Sequence, residues 1–321
     1  PEPAPEPAPP PPPTTTTDAE QGPTTLVLFY AYRPTKASDR DTTKAVAACH
    51  AAMRKRGVTG RLRIAREGYN ATITSTYEGA RAFCDDLATI DAATFDGSVD
   101  FKYVDHLPSS HLMRGAKCWK VAEIVTYGMA EEDAPLHKGA SHLSPQQFHE
   151  ALEDPSAVVI DVRNANETLI GRFAPPGGAE YIDPRMRRST EFPEWVRRNK
   201  SKLEGKKILM YCTGGVRCER ASAFLTQEGI KPHGQLEGGI HRYLETYKEE
   251  GGHWVGKNYV FDRRFAHGAD KHDVVSRCGV CFEPWDRYQA GAKCPSCSME
   301  VLVCRACQRA KAASPKCHLC T

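Results

Sequence analysis

The sequence predicts a multidomain protein of mixed α/β and α+β class, with a small α+β domain, a parallel α/β domain and a cysteine-rich module. Three observations carry this. Residues 25–128 alternate strand and helix patterns in the order βαββαβ. Residues 143–258 hold fully apolar strands separated by helices. Eight of the 13 cysteines lie between Cys278 and Cys320, as four Cys-x-x-Cys pairs.

The elements follow in order. Residues 1–24 are nearly all Pro, Ala, Glu and Thr, too polar to bury a core, and are expected to form a stiff disordered leader. Leu26 to Tyr30 is a strand-like run. Asp41 to Arg56 reads as a helix with Val46, Cys49, Ala52 and Met53 on one face, ended by Gly57. Arg61 to Ala65 alternates as a half-buried strand does, Gly68-Tyr69-Asn70 reads as a turn, and Ala71 to Thr74 as the next strand. Tyr77 to Ile90 is a second helix with Phe83 and Leu87 inward, and Val99 to Val104 the last strand. This order is the ferredoxin-like one.

Residues 129–142 read as a polar linker. Ser144-Pro145-Gln146-Gln147 then opens a helix, with Ser as cap, Pro in the first turn and Gln three residues after the cap. Ala157 to Asp161 and Lys207 to Tyr211 are apolar strands, and Glu219 to Glu228 a helix. Functional residues of a parallel sheet sit at the carboxyl ends of its strands, and Cys212 is at such an end. Residues 259–321 are too few for a substantial core and call for metal staples.

Composition bounds the function. The chain has 321 residues, 40% hydrophobic and 26% charged, with a net charge of +3. No apolar run approaches the ~20 residues needed to cross a membrane, and no signal-peptide pattern opens the chain. Because it starts on Pro1 rather than Met, its natural start is expected upstream. Paired cysteines without a secreted context suit a reducing compartment, cytoplasm or an organellar stroma or matrix. Two basic clusters are candidate RNA-binding surfaces: Arg54, Lys55, Arg56, Arg61, Arg63 and Arg66, and then Arg185, Arg187, Arg188, Arg197 and Arg198. Solvated faces would explain them equally well.

The segment Cys212-Thr213-Gly214-Gly215-Val216-Arg217-Cys218 carries the chemistry. A strand, a glycine turn and a helix start point successive N–H groups inward as an anion-binding nest. The helix dipole and Arg217 add positive potential, so Cys212 is expected to be a nucleophilic thiolate, or the carrier of a persulfide. Cysteine phosphatases resemble Cys-x5-Arg. The shorter Cys-x4-Arg here suits a single sulfur rather than a phosphate. Cys218 is a candidate resolving thiol, with a packed helix cysteine as the plain alternative. Asp161, Arg163 and Glu167 are candidate supports of the loop.

The four Cys-x-x-Cys pairs, Cys278/Cys281, Cys294/Cys297, Cys304/Cys307 and Cys317/Cys320, supply ligands for two structural zinc ions. Either neighbouring or alternating pairs can share an ion. His318 is a spare donor.

Val159-Ile160-Asp161-Val162-Arg163-Asn164, Gly171-Arg172-Phe173 and Leu236-Glu237-Gly238-Gly239-Ile240 resemble rhodanese signatures. Cys-Thr-Gly-Gly-Val-Arg-Cys-Glu at 212–219 is similar to the loop of the tRNA uridine(34) hydroxylases. Arg66 to Thr72 and Glu123 to Gly128 resemble segments of their ferredoxin-like domain. Tyr69 and Ala71 depart from the commoner Ile and Gly, and Arg172 stands where many rhodaneses have His. The resemblance implies tRNA as partner and oxygen-dependent 5-hydroxylation of its wobble uridine, with molecular oxygen as co-substrate. There is no flavin or haem motif. As a general strategy, a cysteine adding to ring carbon 6 would make carbon 5 nucleophilic. Two other readings stand beside it: a sulfurtransferase drawing on a sulfur-donor thiol or persulfide, and a non-catalytic redox sensor or scaffold.

Overall fold

The computed structural model describes residues 22–259, 266–270, 273–288 and 291–321. Most of the Pro-rich leader lies outside these residues.

The first unit is β1 (Thr24–Tyr32), α1 (Asp39–Lys55), β2 (Thr59–Ala65), β3 (Gly68–Ser75), α2 (Tyr77–Ile90), β4 (Lys102–Leu107) and β5 (Ala116–Lys120). Its sheet order is β4-β1-β3-β2-β5. Strand alternation explains its two faces. Val27, Phe29, Ala31, Leu62, Ile64, Tyr69, Ala71 and Ile73 pack with Cys49, Met53, Phe83 and Leu87 of the two helices. The other face presents Leu28, Tyr30, Arg61, Arg63, Asn70, Thr72 and Lys102 to a cavity.

Three sequence expectations are corrected here. Gly68-Tyr69-Asn70 is not a turn but part of β3, paired with Ala65, Ile64 and Arg63. Arg66 and Glu67 make the turn. Gly68 is required by close approach, since a Cβ there would lie 2.1 Å from the Ala31 carbonyl oxygen. The last strand expected at Val99 to Val104 begins at Lys102, opposite Leu28. Phe101 packs instead against Phe29 at 5.0 Å between ring centroids. The fifth strand, β5, parallel to β2, has no counterpart in the βαββαβ reading.

The second unit comprises β6 (His142–Leu143), α3 (Pro145–Leu152), β7 (Ala157–Asp161), α4 (Ala165–Thr168), β8 (Gly171–Phe173), β9 (Glu180–Ile182), α5 (Phe192–Leu203), β10 (Lys207–Tyr211), α6 (Val216–Gln227), β11 (Gly234–Leu236) and α7 (Gly239–Thr246). The parallel sheet runs β6-β11-β10-β7-β9. The capping box read at Ser144 and Gln147 is present. Val158, Ile160, Ile208 and Met210 face α5 and α6. Val159, Leu209 and Tyr211 face α3 and α7. Burial on both faces is why these strands read as continuous apolar runs.

After β12 (Trp254–Gly256), which pairs with β8, come β13 (Asn258–Tyr259), β14 (Ala266–His267) and the short α8 (Arg305–Arg309). The cysteine-rich module has a small core around Val301 and Val303. Among the described residues, no helix is long and apolar enough to cross a membrane.

Candidate active site

β10 delivers Cys212 to the centre of the sheet's carboxyl edge, and the chain turns at once into α6. The helix expected from Glu219 starts three residues earlier, at Val216, so Arg217 and Cys218 are helical. The reason is Gly215, which caps the helix at φ 102°, a backbone state that favours glycine. No capping side chain marks this start in the sequence. The Gly215 N–H donates to Cys212 Sγ at 3.1 Å.

Cys212 is fully buried. Burial alone would push its thiol up. A hydrogen bond from Cys218, the Arg217 charge and backbone N–H groups of the loop outweigh burial and hold the pKa at about 5. At pH 7 the thiolate is then the favoured form. Cys218 is pushed the other way, by its own burial and by the hydrogen bond it makes to Cys212, and stays protonated. Cys218, a candidate resolving thiol or a packed helix cysteine by sequence, is buried beside Cys212 and hydrogen-bonds to it.

The Arg217 guanidinium is spoken for. Nη1 and Nη2 donate to Glu167 at 2.6 and 2.8 Å, and Nη2 donates to Thr213 Oγ1 at 2.9 Å. Burial pulls against ionised Glu167, but Arg217 holds its pKa below the usual range. Glu167 also closes the cap of α4, accepting from the Asn164 N–H. A second buried pair lies below the first. Arg163 donates to Asp161 at 2.9 and 2.6 Å and to the Gly171 carbonyl at 2.7 Å, while Tyr211 donates to Asp161 at 2.6 Å. Asp161, Arg163 and Glu167 therefore brace the loop from beneath. Removing one partner of such a pair leaves a buried charge, at a cost of about 3–5 kcal/mol.

The loop faces the open side of the first unit's sheet. Between them is a cavity of about 330 Å³, walled by Thr213, Gly214, Val216 and Arg217 on one side and by Tyr30, Arg61, Arg63, Asn70 and Lys102 on the other. Arg188, Thr190 and Asn164 close its rim. Cys212 Sγ lies beneath the loop rather than on the wall. Lys102 is only 1% exposed, paired with Asp100 at 2.7 Å, and close enough to Cys212 for their charges to interact. Tyr30 donates to Glu219 at 2.9 Å, Tyr127 donates to the Arg217 carbonyl at 3.0 Å, and Arg220 donates to the Met129 carbonyl at 2.9 Å. Sequence reasoning missed Tyr30, Lys102 and Glu219. They are ordinary strand and helix residues until two domains meet.

The basic residues are sorted by the fold. Arg61, Arg63 and Arg188 reach the cavity, with Arg63 over the Trp119 ring. Arg54 and Lys55 are exposed in the last turn of α1, and Arg56 is held by Asp86 at 2.8 Å. Arg66 donates to the Ala37 carbonyl. Arg185 and Arg187 bind the cysteine-rich module, donating to the carbonyls of His318 and Leu319. Arg197 and Arg198 pair on the surface with Glu228 and Glu194. The eleven cations are thus not one surface.

The eight module cysteines gather into two groups, Cys278/Cys281/Cys304/Cys307 and Cys294/Cys297/Cys317/Cys320. The alternating pairing is the one formed. In each group the sulfurs lie within 4.8 Å of one another. Cys281–Cys304 and Cys297–Cys317 are 3.7 and 3.6 Å apart. A tetrahedron with ~2.3 Å zinc–sulfur bonds has edges of about 3.8 Å. The donor set therefore fits a metal ion in each group, and His318 belongs to neither.

Matches to known families follow this architecture. Residues 144–246 match the rhodanese-like domain, 24–113 the UPF0176 acylphosphatase like domain and 255–321 the rhodanase C-terminal region. With a buried cysteine loop at the carboxyl edge of its parallel sheet and a match over residues 144–246, this is a rhodanese-domain protein. The tRNA uridine(34) hydroxylase of Acholeplasma laidlawii is 33% identical over 283 residues, covering 88% of this chain and 84% of its own. That of Gluconobacter oxydans is 37% identical, covering 77% and 79%. Rhodanese-like domain-containing protein 6 of Arabidopsis thaliana is 33% identical over 92% of this chain and 52% of its own length. The chain belongs to the tRNA uridine(34) hydroxylase family.

Proposed function

We propose that this protein is an oxidoreductase that hydroxylates carbon 5 of the tRNA wobble uridine, using Cys212 as its reactive group. The observation that carries this reading is the cavity between the Cys212 loop and the basic sheet face. Its volume, about 330 Å³, is at the small end of ligand pockets. It holds one flipped ring while Arg61, Arg63 and Arg188 hold flanking phosphates. Relatives named for this activity support it. The division of labour is then RNA holding by residues 25–128, chemistry by 143–258, and structural support by two zinc ions in 259–321.

Hydroxylation by molecular oxygen places one oxygen atom on the base and releases the other as water, which consumes two electrons and two protons. The Cys212 thiolate and the Cys218 thiol supply the two electrons and one proton on closing to a disulfide, solvent supplies the second proton, and an external thiol restores the pair. Free cysteines in this role suit a reducing compartment.

One observation favours a second reading, sulfur transfer through a Cys212 persulfide. The buried thiolate is out of contact with the cavity, whereas a persulfide carries its terminal sulfur about 2 Å farther along the chain. Incubating the protein with unmodified tRNA and oxygen, followed by nucleoside mass spectrometry, separates the two. The expected product is 5-hydroxyuridine, absent with Cys212→Ala. Product formed by Cys212→Ala, or sulfur transfer to a thiol acceptor without hydroxylation, would overturn the first reading.

A further inference from the structure

The cavity between the two units holds one side chain whose hydrogen-bonding sense the fold has already set. Asn70 sits in β3, opposite Tyr30 of β1 and Arg63 of β2, on the sheet face that walls the cavity. Its Nδ2 donates to the Ile124 carbonyl at 2.9 Å. A carbonyl can only accept, so the amide nitrogen must face it and Oδ1 is the atom left over. Ile124 is itself held. Its side chain is fully buried, and its N–H donates to Glu67 Oε1 at 2.9 Å. Bonds on both sides of one residue thus fix the orientation of the Asn70 amide.

Asn70 Oδ1 accepts no hydrogen bond among the described residues, and it is not sealed from solvent. The rest of the described lining sorts by what it can offer. Its charged side chains are all cations, Arg61, Arg63, Lys102, Arg188 and Arg217, which donate and never accept. Its hydroxyls, such as those of Thr72 and Thr213, rotate to either role. The other amide, Asn164, keeps its Oδ1 buried. Among the described side chains of the lining, Asn70 Oδ1 is therefore the open atom that can only accept.

We propose that Asn70 Oδ1 accepts the N3–H of the base in the cavity and sets its preference for uracil over cytosine. This rests on the seating of a flipped wobble uridine there. Uracil presents O4, N3–H and O2 along one edge, in the order acceptor, donor, acceptor. A fixed acceptor among cations matches that order. Cytosine carries a lone pair at N3, which would meet the Asn70 oxygen with no proton between them. A site built on such a bond rejects the base that cannot make it, because polar groups are left unpaired. The contact also sets the ring's direction. Carbon 6 lies across the ring from N3, so a base held by Asn70 at β3 turns carbon 6 away from β3, towards the opposite wall formed by Thr213, Gly214 and Val216 of the Cys212 loop.

Binding without oxygen separates this contact from the chemistry. Anticodon stem-loops with uridine, cytidine or 3-methyluridine at the wobble position are titrated against the full-length protein under anaerobic conditions and followed by fluorescence anisotropy. The wild type should bind the uridine form at least about tenfold more tightly than either of the others, which lack the N3 proton. Asn70→Ala should bring the three affinities to within about twofold of one another. The ratio is taken between RNAs on one protein, so loss of folded protein cancels, and a residue that merely anchors Ile124 would not move it. Discrimination by the wild type without formation of 5-hydroxyuridine in air would support the contact and count against hydroxylation. Equal affinities in the wild type, or a tenfold preference retained by Asn70→Ala, would overturn the proposal and leave hydroxylation standing. Absence of binding to all three RNAs would overturn it together with the tRNA reading.

Discussion

The Cys212 loop and the cysteine-rich module use the same side chain in opposite ways. At the loop, one thiolate is stabilised by what the polypeptide supplies: a Gly215 N–H, the Cys218 thiol, the start of α6 and the Arg217 charge. All of these are groups of the polypeptide itself. In the module, four sulfurs crowd within 4.8 Å in each group. Four thiolates at that spacing repel one another, and a cation between them offsets the repulsion. One region spends its charge on reactivity, the other on shape.

The largest expected effect is at the loop. Cys212→Ala should lower hydroxylation at least about a hundredfold while leaving the module's resistance to proteolysis unchanged, because the proposed mechanism passes through this sulfur. Chelation should do the converse. Removing metal should expose the module to proteolysis and release about two ions per chain by mass spectrometry, with the sheet signal in circular dichroism retained. Loss of the Cys212 pKa on chelation would break the comparison.

Glu167→Gln leaves Arg217 buried without its anion and should destabilise the fold by about 3–5 kcal/mol in urea melts. Reactivity gives a smaller, sharper signal. The rate of Cys212 alkylation should rise through pH about 5 and stay flat above it, since the anion is the nucleophile. Cys218→Ala removes a hydrogen bond to that anion and should move the inflection to higher pH. The sign for stability follows. The folded thiol titrates below its ordinary value of 9.0, so its contribution is complete above pH 9 and declines as pH falls towards 5. The smallest effect is expected at the cavity wall. Arg63→Ala should weaken tRNA binding a few-fold and reduce the salt slope by about one, whereas Arg197→Ala should do neither.

What could be read from residues alone was local. Cys212-x4-Arg217 declares its glycine turn, though the helix begins three residues before the expected start, and four Cys-x-x-Cys pairs declare their donors. The capping box at Ser144 and the double-faced strands β7 and β10 were equally plain, because periodicity and capping act over one or two turns. The errors were also local in kind. Gly68 to Asn70 looked like a turn because Gly and Asn favour turns, yet Tyr69 is buried and donates to Asp91 at 2.7 Å. Burial overrode propensity there.

Partnership was decided by the tertiary structure. Glu167 lies 50 residues from Arg217 and Tyr30 lies 189 from Glu219, and no spacing rule links such positions. The alternating pairing of the cysteine clusters, the diversion of Arg185 and Arg187 to the module, and the meeting of Arg61, Arg63 and Lys102 over the loop all belong to this class. Sequence determined which residues carry reactive or ligating atoms, since that is a property of side chains and their near neighbours. Which of them act together depends on chain crossings that bring distant strands and helices within hydrogen-bond reach, and only the folded packing sets those distances.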